Sequence, residues 1–328
     1  MIFFNPSQLV KLARRSAKCW LASLLLLVFT CNYAIADRKY NILFVASKSS
    51  ADYVEVLNSV KQQLEVKSPE RYEFNTVFIS SESNLKADLA AADFVVTVGT
   101  AAADTVFSTR PKAPILSVLI TENALSALTE KHYGSIEAAF AAQVSSICLD
   151  QPVTRSIQLA KLLVPGSSGV GMMLGPASVH RQAELSKYIT GSGLQSQFVS
   201  ISAKDNPIHK IEPVLSRSDV FIPISDSRLI NIATAKWILH LSYRHKVPVI
   251  AFSKSYLKAG ALAAIYSTPA DVAQDTAEWL IKFKSEAVGD LHKPAHYSLD
   301  FNQSVAANLK IKLETEQFYR DQFNQEVK

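Results

Sequence analysis

The stretch SDVFIPISDSRLINIATAKWILHLSYRHKVPVIAFSKSYLKAGALAAIYST, Ser218 to Thr268, decides the fold. Val220 to Ile224 is an apolar run that ends in the polar corner Ser225-Asp226-Ser227. A helical pattern follows from Leu229 to about Tyr243, and a second apolar run covers Val247 to Phe252. Two strands without polar alternation, joined by a crossover holding one helix, read as a βαβ unit. Its strands should pair in parallel within a sheet covered on both faces. Ligands of such sheets collect where strands end and helices begin. Here those corners are Ser225 to Arg228 and Ser253 to Tyr256, rich in hydroxyls and small enough to let a ligand approach backbone amides.

Upstream, the same alternation starts at Asn41. Ile42 to Ala46 is a buried-strand run, and the helix after it carries Val54, Leu57, Val60 and Leu64 on one face. Ser47, Ser49 and Ser50 occupy the corner between them, where they either contact a ligand or cap the helix. Phe74 to Ile79 (strand) and Asn84 to Ala92 (helix) lead to the strand Phe94 to Val98 and the loop Gly99-Thr100-Ala101. A glycine followed by small residues at a helix start exposes amide N–H groups that favour an anion such as a carboxylate; the alternative is a tight turn at Gly99 and a cap at Thr100. Ile115 to Ile120 ends in the polar corner Thr121-Glu122-Asn123.

After a strand at Ser145 to Leu149 and a helix reaching Pro165, the alternation restarts. The expected elements are a strand at Val170 to Leu174, a helix at Val179 to Ile189, a strand at Gln195 to Ile201 and a short helix near Ile211. Two runs of βα units predict an α/β protein with two doubly wound parallel-sheet lobes, whose corner loops line a ligand cleft between them. Pro269 to Lys282 returns to helix, a short strand is expected near His296 to Leu299, and the tail after Gln303 reads as a solvated amphipathic helix.

The first 36 of the 328 residues form a separate problem. Lys11, Arg14, Arg15 and Lys18 precede an apolar run from Cys19 to Thr30, and Ala34-Ile35-Ala36 follows. This is the pattern of a secretory signal peptide cleaved after Ala36, which predicts a periplasmic protein without a membrane span after cleavage. Cleavage would remove four cations and no acids, turning a formal charge of +5 into +1. A nearly balanced chain argues against nucleic acid as a partner. Cys148 alone would remain of three cysteines, so no internal disulfide is expected, and Cys148 reads as a small buried hydrophobe.

Catalytic and cofactor motifs are missing. The glycines at 166, 169 and 171 precede a strand instead of following one, the wrong polarity for a dinucleotide fingerprint. No Walker lysine motif, G-x-S-x-G elbow, HExxH or CxxC occurs, so no enzyme activity, cofactor or metal is expected.

The stretch from Ser218 to Pro269, the loop VVTVGTAAAD (Val95 to Asp104) and LDQPVTRSIQLAKLLVP (Leu149 to Pro165) together resemble the ABC transporter substrate-binding proteins of the tryptophan/tyrosine-binding type. That family has the type I periplasmic binding fold, and the resemblance runs from Asn41 to the helix ending at Lys282. It implies a first lobe built from residues 37–147 and 262–292 and a second from 148–261 and 293–328. It also implies a monomer that closes on a small molecule, an amino acid or similar polar or aromatic solute, and delivers it to an inner-membrane ABC permease. A binding protein that signals to a membrane sensor is the alternative. The ligand-contact set is Ser47, Ser49, Gly99, Thr100, Ala101, Thr121, Asp226 and Ser253. A carboxylate or other anionic group is expected at Gly99 to Ala101, a cationic or hydrogen-bond-donating group near Asp226, and Phe252 or Tyr256 over an apolar ligand body or in the core. Ser227 stands where the family often has Asn, and AAQVSSICLDQPV replaces its glycine-rich segment into the second lobe.

Overall fold

The computed structural model describes residues 39–79, 85–202, 204–226, 228–283 and 289–325. The leader, Ser227 and the expected helix start at Asn84 lie outside them. The first half of the chain reads β1 (Tyr40–Ala46), α1 (Ala51–Lys67), β2 (Tyr72–Phe78), α2 (Leu85–Ala91), β3 (Phe94–Val98) and α3 (Thr100–Thr109). It continues with β4 (Ile115–Ile120), α4 (Glu122–Tyr133), α5 (Ile136–Ala141), β5 (Val144–Cys148) and α6 (Val153–Leu163). Next come β6 (Gly169–Leu174), a 3-10 turn at Val179–Arg181, α7 (Gln182–Gly191), β7 (Gln195–Ser200) and α8 (Pro207–Leu215). The last part holds β8 (Val220–Phe221), α9 (Ile232–His245), β9 (Ile250–Ala251), α10 (Lys254–Lys258), β10 (Ala263–Tyr266), α11 (Pro269–Lys282), β11 (Leu291–His292), β12 (Ser298–Phe301), α12 (Gln303–Leu309) and α13 (Glu316–Gln325).

The first sheet has the order β11-β5-β4-β3-β1-β2. Its pairs β1/β3, β3/β4, β4/β5 and β5/β11 are parallel. The chain leaves β1 for β2 on one side and β3 on the other, so the strand order reverses between β1 and β3, the crevice where such sheets bind ligands. Both faces are apolar because helices cover both. Val56, Leu57, Val60 and Leu64 of α1 and Val272, Ala273, Ala277 and Leu280 of α11 fill one side. Leu89, Val106, Phe107 and Leu125 fill the other. A fully buried leucine such as Leu64 contributes about 2 kcal/mol by leaving water.

The second lobe holds two three-stranded pieces, β7-β6-β8 and β12-β10-β9, joined into one sheet by a parallel bridge between Phe221 and Val249. Its switch point lies between β6 and β8. The expected βαβ unit is present, with strands cut short. Val220 to Ile224 keeps only two ladder residues and Val247 to Phe252 keeps two plus the bridge. Pro223 and Pro248 bring no N–H to a ladder, which truncates both strands. The helix starts at Ile232 instead of Leu229, because Leu229 N and Ile230 N donate to the Asp226 carbonyl and Asn231 Oδ1 caps the helix through Thr234 N, at 3.0 Å.

Three expectations change. The chain was expected to return to the first lobe at residue 262, yet β10 pairs with β9 and β12, so the return follows Tyr266. Strand β12 lies two residues beyond its expected start and runs antiparallel to β10. The tail is two helices rather than one solvated one. Tyr319 and Phe323, four residues apart, bury in the second lobe's core beside Ile157 and Leu299.

Candidate functional site

Three segments carry the chain between the sheets: residues 149–152 after β5, 267–268 after β10, and 293–297 between β11 and β12. They are tied to one another. Gln151 Nε2 donates to Ser267 Oγ at 2.8 Å, and Arg155 Nη1 donates to Gln151 Oε1 at 2.6 Å and to the Pro294 carbonyl at 2.9 Å. Asp275 of α11 accepts from the backbone N–H groups of Ala295 and His296 and meets His296 Nδ1 at 2.6 Å. Burial raises the Asp275 pKa, against the lowering effect of His296. Such narrow, hydrogen-bonded connections concentrate any relative motion of two lobes in a few residues.

In the first lobe the structure brings Ser47, Gly99, Thr100 and Ala101 together at the β1/β3 switch point. Ala102 N donates to Ser47 Oγ at 2.8 Å, so the serine both ends β1 and caps α3. Gly99 has φ 92°, a left-handed value that disfavours other residues, and a Cβ built there would lie 2.7 Å from Ser47 Oγ and 2.7 Å from the Tyr53 ring. Thr100 and Ala101 are exposed. Thr121 stands one strand further on, capping α4 through Ala124 N at 3.3 Å. Just before it, β4 has an irregular register between Ser117 and Ile120, and Leu119 holds φ 54°. Backbone strain of this kind, about 1 kcal/mol or more, is found where a chain must turn a corner for function. Ser49 is exposed beside this group.

The second lobe's corner is built differently. Asp226 is 1% exposed. Its Oδ2 accepts from Ala177 N at 3.1 Å and Ser178 Oγ at 2.8 Å, and its Oδ1 accepts from Arg228 N at 2.9 Å. Gly175 leaves room for it, since a Cβ there would lie 2.6 Å from Oδ2. The expected ligand acceptor is thus a brace that ties the β6 corner to the turn after β8. Ser253 caps α10 through Tyr256 N at 3.2 Å. Tyr256 is buried with its hydroxyl unpartnered and its pKa raised by burial, and it packs 5.8 Å from Phe252 in the core. Tyr256 belongs to the core cluster of the second lobe, and the half-buried Phe252 packs against that cluster.

Residues next to the expected set link the lobes. Asn123 Nδ2 donates to the Ser225 carbonyl at 3.1 Å, and Arg181 Nη1 approaches Glu122 Oε2 at 3.7 Å. Glu122 also receives Lys293 Nζ at 2.6 Å, while its backbone N–H goes to Asp150 Oδ2 at 2.7 Å. Burial raises the Asp150 pKa. Glu122, Asn123, His180, Arg181 and Glu184 line a cavity of about 210 Å³. A larger one, about 550 Å³, lies between α11 and β11 around Trp279 and His292, away from both switch points. Trp279 and Phe283 line this larger cavity and stack on each other and against Phe94 of the first lobe's core.

Sequence reasoning passed over Tyr53, Asp150 and Arg181. Tyr53 could have been found as the aromatic in the first turn after the Ser47 corner. Arg181 carries no local signal, because only the tertiary fold brings the turn after β6 to α4. Cys148 is buried and burial pushes its thiol up to about 12, which leaves it neutral and inert. Among the described residues no cluster of His, Cys, Asp and Glu could hold a metal ion, and no helix is long and apolar enough to cross a membrane.

Residues 73–320 match the family model described as ABC transporter substrate binding protein. The chain belongs to that family. Solved structures with the same fold include an ABC domain in complex with L-Trp from Streptococcus pneumonia, 15% identical, with TM-score 0.54 over 86% of this chain and 98% of that one. A ligand-free, open substrate-binding protein with adhesive properties from Clostridium difficile is 14% identical, with TM-score 0.63 over 85% and 97%. A conserved domain protein from Vibrio cholerae is 17% identical, with TM-score 0.53 over 86% and 98%. No curated protein matches the chain. The expected fold, an α/β protein of two parallel-sheet lobes of the type I periplasmic binding class, is the fold observed.

Proposed function

We propose that this chain is the solute-binding component of an ABC transport system, exported by its leader to the periplasm, that closes two lobes around a small molecule and presents it to an inner-membrane permease. It acts as a monomer without catalytic chemistry. The observation that carries this reading is the knot of three crossing segments, Gln151 to Ser267 and Arg155 to Pro294, between two sheets whose switch points both hold small polar corners. Within the first lobe, the exposed amides of Thr100 and Ala101 at the start of α3 take the ligand's carboxylate, with Ser47, Ser49, Gly99 and Thr121 around it. In the second lobe, Asp226 and Ser253 shape the corner and leave ligand contact to their neighbours.

The relative that holds L-Trp makes an amino acid the first solute to test. In a thermal-shift panel, a cognate amino acid at 100 times its Kd stabilises by about 2.7 kcal/mol, which raises Tm by roughly 4 to 5 °C for a chain of this size. Tryptamine and amino acid amides, which lack the carboxylate, should give no shift. An amide that shifts Tm as much as its parent acid would remove the carboxylate from this reading.

A further inference from the structure

From Val220 to Ala270 the chain carries six cations, Arg228, Lys236, Arg244, Lys246, Lys254 and Lys258, against one acid, Asp226. That acid is buried, so this segment presents positive charge, although residues 37–328 together balance to +1. The excess coincides with an unusual helix face. Ile232, Lys236, His240 and Tyr243 recur at helical spacing on the outer side of α9, flanked by Trp237 and Arg244. Ile232 is 78% exposed, Tyr243 72% and Trp237 43%. Thr234, Ile238, Leu239, Leu241 and Ser242 point inward, so the helix already has its core face and the outer apolar groups are surplus to folding.

We infer that the outer face of α9 rests on an anionic lipid surface. Aromatic side chains together with lysine and arginine are the chemistry of a membrane interface, where rings sit at headgroup level and cations meet lipid phosphates. The arrangement favours lipid over an acidic protein. Ile232 and Tyr243 stand about 16 Å apart at opposite ends of the helix. A protein hot spot instead gathers its anchors at the centre of a patch, in pockets. Here Lys236 lies between the anchors and Arg244 follows Tyr243, a spread that suits a soft partner that needs no pockets. Glu212 of α8, 3.5 Å from Arg244 Nη1 and 3.3 Å from His245 Nε2, offsets part of the charge at one end. Lys254 and Lys258 are exposed on α10, whose Tyr256 and Leu257 share the α9 core. This inference does not depend on the solute or the permease.

Co-sedimentation of the exported form, residues 37–328, with vesicles of phosphatidylglycerol and phosphatidylethanolamine tests it, against vesicles of phosphatidylcholine alone. Two double variants, Lys236→Glu with Arg244→Glu and Trp237→Ala with Tyr243→Ala, change only exposed groups and should melt like the wild type. Each should lower the fraction bound to anionic vesicles at least fivefold, and the charge pair should also flatten its dependence on salt. Because all three proteins lack the basic, apolar leader, the difference between them reports α9. Equal binding by the three, at any level, overturns the inference. So does a difference that shows only on vesicles containing membrane proteins, which would assign the face to an acidic protein partner.

Discussion

The two switch points of this protein have the same topology and opposite chemistry. At β1/β3 the chain stops short of filling the crevice: Ser47 satisfies Ala102 N, and the amides of Thr100 and Ala101 stay at an exposed helix start. At β6/β8 the chain fills its own crevice with a carboxylate, holding Ala177 N, Ser178 Oγ and Arg228 N on Asp226. Donors of the first kind are amides in the first turn of a helix, which have no partner within the helix itself, and that is what a ligand at such a corner would use. Donors of the second kind are already satisfied, and displacing a buried charge from them would leave it unpaired. The lesson is that an acidic residue at a strand end is a ligand group only if its neighbours leave it free.

Removing the brace should give the largest effect. Asp226→Ala leaves Ala177 N, Ser178 Oγ and Arg228 N without their acceptor and should destabilise by about 3 kcal/mol. Asp226→Asn, which keeps one acceptor, should cost less. Urea unfolding measures both. An Asp226→Asn protein of wild-type stability that no longer binds solute would break the comparison and return Asp226 to the ligand.

The first corner should be sensitive to bulk. Gly99→Ala forces a Cβ into left-handed backbone and against Ser47 and Tyr53, at a cost of about 2 kcal/mol. It should also push Ser47 from α3 and weaken solute binding about tenfold, read by calorimetry on the solute found in the thermal-shift panel. Unchanged affinity would place the ligand elsewhere.

The smallest effect sharpens the role of the crossing segments. Burial raises the Asp150 pKa, so the folded protein holds that proton more tightly than the unfolded chain does. Ionised Asp150 therefore costs stability at neutral pH. As pH falls through its raised folded value toward the ordinary carboxylate range, wild type should gain stability relative to Asp150→Asn, which does not titrate. Unfolding both proteins at several pH values checks the sign, and a wild-type advantage that shrinks with acid would contradict it.

Much of the first lobe was legible because its strands are continuous apolar runs ending in small polar residues, and Gly99 marks the turn that only glycine adopts easily. The second lobe was legible as a βαβ unit, but Pro223 and Pro248 shortened its strands without changing their pairing. Helices α4 and α5 escaped because Glu122 to Ala142 lacks a clear apolar stripe; Leu125, Leu128 and Ala139 are its few buried apolar side chains. The tail escaped for the opposite reason. Its many charges read as a solvated face, and only the fold shows Tyr319 and Phe323 inserted beneath them.

By itself the sequence determined the class of fold, the alternation of strands and helices, and where strands end, because periodicity and glycine act through local backbone geometry. Tertiary structure decided which corner residues are free. Whether Asp226 meets a ligand depends on Ala177 and Ser178, nearly fifty residues away, and whether Arg181 reaches Glu122 depends on how two lobes meet. Hydrogen-bond satisfaction is a property of positions in space, and a sequence lists donors and acceptors without saying which of them are already paired.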